Sequence, residues 1–146
     1  MNASVDFQGK KEFVKMGSYG VGVSRLVGAI IEAKYDEKNE IMNWPISVSP
    51  YECAVIPLIN KNDNANLEKA NNIYKYLDTK KIDTIIDDTE ENFSSKIKKF
   101  NLLGIPFQIM IGKKTEGDLF EFNEIGKVTK KLCIEDIAKI IINKKK

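Results

Sequence analysis

From residue 50 onward, short apolar runs alternate with longer amphipathic stretches, and this order restricts the fold more than any other feature. The runs YECAVIPLI, IDTIIDD and IPFQIMIG have the length and the branched apolar side chains of buried strands. Between them, residues 60–80 and 94–103 carry apolar side chains at helical spacing. Strands that are joined through helices run parallel with right-handed crossovers, so the sequence predicts a parallel core.

The last part of the chain adds a different kind of connection. DLFEF and KVTKKL flank a short turn and predict an antiparallel hairpin, and IEDIAKIIINKKK predicts a closing helix. Ser94 or Ser95 is expected to cap the helix before the third strand, and Gly104 is expected to end it. The predicted fold class is α/β, with a five-stranded mixed sheet flanked by three helices over residues 45–146.

Residues 1–44 have a different texture. Residues 1–15 alternate loosely around Gly9 and predict a hairpin. MGSYGVG then leads into SRLVGAIIEAKY, a helix that is apolar over much of its circumference, and residues 35–45 read as a polar loop. A helix of this kind needs a partner surface. Residues 1–44 are therefore expected to be a strand-helix remnant of a larger domain.

Composition excludes several kinds of chemistry. The chain has no histidine, which removes histidine metal sites and every Ser-His or Cys-His triad. The two cysteines lie in apolar runs without a CxxC, so buried reduced thiols are expected. No metal site is predicted, although a site built from carboxylates alone stays open. No apolar run could cross a bilayer, and the start lacks the pattern of a signal peptide. A cytoplasmic protein without a membrane partner is expected.

The charge of the chain points to a local binding patch at most. The formal net charge is +2, so any nucleic-acid binding must use a cluster of basic residues rather than an overall positive field. Of the 23 basic residues, only Arg25 is an arginine. In a chain that otherwise uses lysine, an arginine indicates a position that needs the planar, forked guanidinium. Chance is the alternative explanation for a single arginine.

The glycine-rich segment GSYGVGVSR at residues 17–25 is the first candidate site. It has neither the glycine spacing of a dinucleotide fingerprint nor the GK[ST] of a Walker loop. Gly20 and Gly22 would let a ligand approach the backbone closely, and Arg25 could hold a phosphate or stack on a base. A tight turn followed by a surface arginine explains the same residues equally well.

An acidic loop followed by the lysine-rich stretch KIKK is the second candidate site. Glu91 follows the second predicted strand, where a carboxylate can accept hydrogen bonds from a guanine edge. Lys96, Lys98 and Lys99 could contact the backbone or bases of an RNA. A solvated helix face is the alternative explanation for these lysines.

Several motifs together resemble the prolyl-tRNA synthetase family of class II aminoacyl-tRNA synthetases. MGSYGVGVSRLVGAIIE is similar to motif 3 of that class, and NWP, ISVSP and LLGIPFQIMIG follow in the family's order. Residues 87–106 resemble the class IIa anticodon-binding pattern. The matching residues are Asp87, Asp88, Glu91, Lys96, Gly104, Ile105 and Pro106, whereas Thr89, Asn92 and Ser94 depart from it.

The resemblance implies roles for the first candidate site. Arg25 would bind ATP, Gly20 and Gly22 would leave room for the adenylate, and Ser18 would lie beside the proline pocket. Ser18 stands where the family often has cysteine, which leaves the fine amino-acid selectivity open. Full-length members attach proline to tRNA(Pro) with ATP and magnesium, as homodimers. Proline anticodons carry guanines at their second and third positions, which suits Glu91 as an acceptor.

The resemblance also implies a division of the chain. Motifs 1 and 2 do not occur in it, so a C-terminal fragment is expected, with residues 1–44 from the catalytic domain and 45–146 forming the anticodon-binding domain. Such a fragment would bind tRNA rather than DNA, would not aminoacylate alone and would need no cofactor. The alternatives are a threonyl, histidyl or glycyl synthetase, a free-standing paralogue acting as an accessory subunit, or a small thioredoxin-like or nucleotide-binding protein.

Overall fold

A computed structural model describes residues 3–59, 65–112, 115 and 117–145 of the chain. Its elements in chain order are β1 Ser4–Phe7, β2 Lys10–Phe13, α1 Val23–Lys34, β3 Tyr35–Asp36, β4 Ile41–Met42, a 3₁₀ turn Ile46–Val48, β5 Cys53–Pro57, α2 Ala65–Thr79, β6 Thr84–Ile86, α3 Phe93–Leu103, β7 Phe107–Ile111, β8 Leu119–Glu124, β9 Lys130–Cys133 and α4 Ile134–Lys145.

The first two strands confirm the predicted N-terminal hairpin. β1 and β2 pair antiparallel with Phe7 opposite Lys10, and Gln8 and Gly9 turn the chain with φ values of 51° and 76°. Two successive positive φ values are typical of the tight turns whose twist matches a hairpin. Residues 14–22 form neither strand nor helix, so no strand leads directly into α1. A strand requires a neighbour for its backbone hydrogen bonds.

The prediction of a polar loop over residues 35–45 is wrong in part. β3 and β4 form a short antiparallel pair with Tyr35 opposite Met42. The Asp36 carboxylate closes the turn by accepting hydrogen bonds from the backbone of Lys38 and from the backbone and side chain of Asn39. The polar residues hold this turn, while Met42 is buried at 3% exposure.

The main sheet has the predicted five strands, in the order β6-β5-β7-β8-β9. β5 runs parallel to β6 and β7, and the two remaining pairings are antiparallel. Side chains of α2 and α4 pack on one face of the sheet, where the rings of Phe107 and Phe122 stack with centroids 5.8 Å apart. α3 packs on the other face against Ala54 and Ile56. Cover on both faces explains why every residue of β5 and β7 is buried.

Contacts hold α3 at both ends, and α3 carries the lysines of the second candidate site. Asn92, not Ser94 or Ser95, caps its start: the Asn92 side chain accepts a hydrogen bond of 2.8 Å from the Ser95 backbone. Gly104 ends the helix as predicted, with φ at 73°. A Cβ on Gly104 would lie 2.6 Å from the Met42 carbonyl oxygen. The Trp44 indole also donates to the Leu103 carbonyl oxygen at 3.1 Å.

The two thiols differ in their exposure. Cys53 is fully buried, and burial raises the pKa of its thiol. Cys133 is only partly buried, which corrects the prediction of two buried thiols. Within the described ranges, no helix is long and apolar enough to cross a membrane. The same residues contain no group of three or more potential metal ligands.

Candidate nucleic-acid interface

The loop of residues 87–92 leaves the carboxyl end of β6, beside the carboxyl end of β5, and leads directly into α3. Crevices at the carboxyl ends of parallel strands are the usual ligand sites of open α/β sheets. Five of the six loop residues are exposed, and only Asp87 is buried. The side chains of residues 88–92 are therefore open to solvent, while the buried Asp87 holds the start of the loop against the protein.

Lys96 is enclosed by the protein, and this corrects the prediction that it contacts RNA. The residue has no exposed surface. Its ammonium donates to the carbonyl oxygens of Pro57 at 3.1 Å and Asp87 at 3.2 Å, and it lies 3.5 Å from the Asp87 carboxylate. Because every face of the side chain meets protein, Lys96 cannot touch a ligand in this conformation.

Asp87 is the centre of this cluster, although its only role in the sequence patterns is a motif match. Its Oδ1 accepts from the Thr89 backbone at 3.0 Å and from the Thr89 hydroxyl at 2.5 Å. Its Oδ2 lies 2.8 Å from the Lys99 ammonium, as an ion pair without hydrogen-bond angles. Burial would raise the pKa of Asp87, but Lys99, Thr89 and Lys96 outweigh it and lower the pKa to about 2.

Lys99 connects the buried cluster to the surface. Its ammonium lies 3.3 Å from the Glu91 carboxylate, and the two side chains are 36% and 51% exposed. The contact with Asp87 raises the pKa of Lys99, burial opposes that shift, and Glu91 adds to it. The structure thus places two of the predicted site residues, Glu91 and Lys99, in contact at one surface. Lys98, the third predicted lysine, is exposed on the second turn of α3.

The glycine-rich segment lies open to solvent. Ser18, Gly20, Gly22 and Arg25 are all exposed, and α1 has no buried residue. Gly22 precedes α1, and its carbonyl oxygen accepts from the Arg25 backbone at 3.0 Å. The Arg25 stem lies 3.6 Å from the place where a Cβ on Gly22 would stand. The predicted ATP-site roles of these residues stay predictions.

A signal for the buried cluster was present in the sequence. Lys96 and Lys99 are three positions apart and therefore share a helix face, and Lys96 is also one turn before the apolar Phe100. A lysine on the apolar face of a helix needs a buried acceptor, and Asp87, at the end of the preceding strand, lies close enough to supply one.

Comparisons with known proteins show which family the chain resembles. The family model described as "Anticodon binding domain" matches residues 52–144. The proline–tRNA ligase of Pelagibacter ubique is 63% identical over 99% of this chain and 33% of its own length. The enzyme of Rickettsia canadensis is 42% identical over 98% of this chain and 33% of its own length. The chain therefore spans about a third of these relatives.

A solved structure shows a similar fold. The prolyl-tRNA synthetase of Cryptosporidium parvum, solved with L-proline and AMP, superposes with a TM-score of 0.71 over 82% of this chain and 25% of the other. The two sequences are 18% identical over this match.

Proposed function

Because the chain belongs to the anticodon-binding domain family, we propose that it reads the anticodon of tRNA(Pro) as the C-terminal part of a proline–tRNA ligase. The observation that carries the proposal is the exposed Glu91 carboxylate, which forms an ion pair with Lys99 at the carboxyl edge of the parallel strands. The identity with proline–tRNA ligases along almost the whole chain favours proline over the threonyl, histidyl and glycyl alternatives.

Chemistry supports Glu91 as the base-reading group. A carboxylate offers acceptors only, and guanine presents two donors on its Watson–Crick edge. Lys99 holds one Glu91 oxygen, which limits the directions in which the carboxylate can point. Lys98 and Lys99 are the proposed phosphate contacts, since both side chains reach solvent. In this proposal, Glu91 supplies selectivity and the lysines supply affinity that does not depend on sequence.

The activity of the whole enzyme is part of the same proposal. A proline–tRNA ligase couples proline to tRNA with ATP and magnesium, in the cytoplasm and as a homodimer. Arg25, Gly20 and Gly22 would bind ATP, and Ser18 would lie beside the proline pocket. All four residues are exposed, so the 146-residue chain is expected to show no proline-dependent ATP–pyrophosphate exchange by itself. An accessory subunit would share the anticodon reading without this parent activity.

The test is binding of two anticodon stem-loop RNAs by the 146-residue chain. One RNA carries guanines at the second and third anticodon positions, and the other carries adenines there. We expect the guanine RNA to bind about tenfold more tightly in fluorescence anisotropy. Glu91→Gln should remove most of this preference, whereas Glu90→Gln, at an exposed neighbouring position, should keep it. Equal affinities of the unaltered chain for both RNAs would refute the proposal.

A further inference from the structure

We propose that Lys96 and Asp87 are positioning residues for the base-reading carboxylate of Glu91, an inference that rests on the proposed function. Four side chains of alternating charge lead from the core to the surface: Lys96, Asp87, Lys99 and Glu91. The first two are buried and the last two reach solvent. The buried pair sets the position of the exposed pair.

Lys96 joins three pieces of the fold at one point. Its backbone belongs to α3, and its ammonium holds the carbonyl oxygens at the end of β5 and just after β6. Those carbonyls belong to Pro57 and Asp87, which lie 39 and 9 residues away in the chain. The start of α3 is thereby fixed relative to the strand from which the reading loop departs.

Stability alone does not account for a lysine at this place. A buried ion pair loses about as much in desolvation as it gains in attraction, and an apolar side chain of similar volume often stabilises a fold as well or better. An apolar side chain, however, could not hold two carbonyl oxygens and a carboxylate in fixed directions. Orientation is therefore the property that the Lys96 ammonium adds to the fold.

Asp87 passes this orientation to the loop and to Lys99. One of its oxygens holds the backbone and hydroxyl of Thr89, which fixes the first turn of the loop. The other oxygen lies 2.8 Å from Lys99. Lys99 in turn holds Oε2 of Glu91. A side chain that is already held loses less conformational freedom when it binds. The cluster therefore favours binding of a base whose hydrogen-bond donors match the direction of the Glu91 carboxylate.

The experiment measures the selectivity of a Lys96→Met variant of the 146-residue chain, with the guanine and adenine stem-loops at several salt concentrations. We expect affinity for the guanine RNA to fall about fivefold to tenfold, and affinity for the adenine RNA to change less than about twofold. The slope of log Kd against log salt should stay the same, because a buried ammonium releases no counterions from RNA phosphates.

Lys98→Ala is the matched control on the exposed face of α3. It should weaken both RNAs equally and lower the salt slope by about 0.7, the effect of one lost phosphate contact with a single strand. Selectivity and salt dependence therefore separate a positioning residue from a contact residue. A purely structural role of Lys96 would change neither the slope nor the ratio of the two affinities.

A second variant covers the case in which Lys96→Met fails to fold by circular dichroism. Thr89→Val changes an exposed residue and removes the hydroxyl that donates to Asp87. It should lower the guanine preference about twofold to threefold. Full selectivity for the guanine RNA in a folded Lys96→Met variant overturns the inference. If Lys96→Met does not fold, full selectivity in Thr89→Val overturns it. A smaller salt slope in Lys96→Met also overturns it, and an unaltered chain without guanine preference removes the proposed function itself.

Discussion

The helices α1 and α2 show how two similar sequence patterns reach different environments. Both carry apolar residues at helical spacing, and both fold as helices of more than ten residues. In α2, Ala70, Ile73 and Leu77 are buried against the sheet. In α1 no residue is buried, and Leu26 remains 47% exposed. Periodicity therefore predicts the helix, whereas burial depends on a partner surface supplied by another part of the molecule.

The segment between these regions belongs by its packing to the sheet. Met42 is buried, and Trp44 donates to the carbonyl oxygen of Leu103 at the end of α3. The boundary after residue 44 remains a prediction from the family resemblance. Because Met42 and Trp44 pack at the end of α3, a folded unit that contains the sheet also includes β4 and Trp44.

The largest effect should come from truncating the same residue type in the two helices. Leu77→Ala removes a fully buried side chain and should lower the free energy of unfolding by about 2–5 kcal/mol, since the lost burial leaves a cavity. Leu26→Ala should change it by less than about 0.5 kcal/mol. Urea denaturation measures both values. Similar losses in the two variants would show that α1 is packed in solution, and the contrast between the regions would fail.

A pair of glycine substitutions should give the next largest difference. Gly104 has φ at 73°, and a Cβ there would meet the Met42 carbonyl at 2.6 Å. Gly104→Ala should therefore cost about 2–4 kcal/mol through backbone strain and overlap. Gly28, within α1, has nothing within 4 Å of the place that a Cβ would occupy.

The matched Gly28→Ala variant should leave the main unfolding transition unchanged, and its higher helix propensity should stabilise α1 by up to about 1 kcal/mol. Thermal unfolding followed by circular dichroism compares the two variants. A neutral Gly104→Ala would mean that the linker does not pack closely on the end of α3.

The smallest expected effect depends on pH. Contacts with Lys99, Thr89 and Lys96 lower the pKa of Asp87 to about 2, below the value of about 3.9 for an unfolded chain. The ionised carboxylate therefore stabilises the fold above about pH 4, and this contribution is lost as the pH falls through about 2. Asp87→Asn should lower the free energy of unfolding by about 2 kcal/mol at pH 7. The difference in this free energy between the variant and the unaltered chain should shrink toward pH 2.

Asp6→Asn on the exposed strand β1 is the matched control and should leave the free energy of unfolding unchanged within about 0.5 kcal/mol. Urea denaturation at a series of pH values measures the difference. A loss for Asp87→Asn that stays constant down to pH 2 would show that the carboxylate does not act through its charge.

The sequence by itself determined the order of the elements from residue 50 on. Continuous apolar runs such as the one around Val55 are typical of strands with cover on both faces, and Gly104 was the natural end of α3 because glycine adopts a positive φ without strain. These are local properties, and each can be read from a few neighbouring residues. The family resemblance added the predicted site residues, and the structure shows that two of them, Glu91 and Lys99, are in contact at one surface.

Only the tertiary structure decided which charged residues face solvent. Lys96 and Lys98 are two positions apart in one lysine-rich stretch, yet Lys96 is enclosed and Lys98 is exposed. The difference arises because a lysine can be buried only where distant groups accept its hydrogen bonds, and Pro57 supplies one of these from 39 residues away. The positions of Met42 and Trp44 also depend on distant parts of the chain, because both pack against residues about sixty positions further along. Contacts of that range follow from the way in which the sheet and its helices come together.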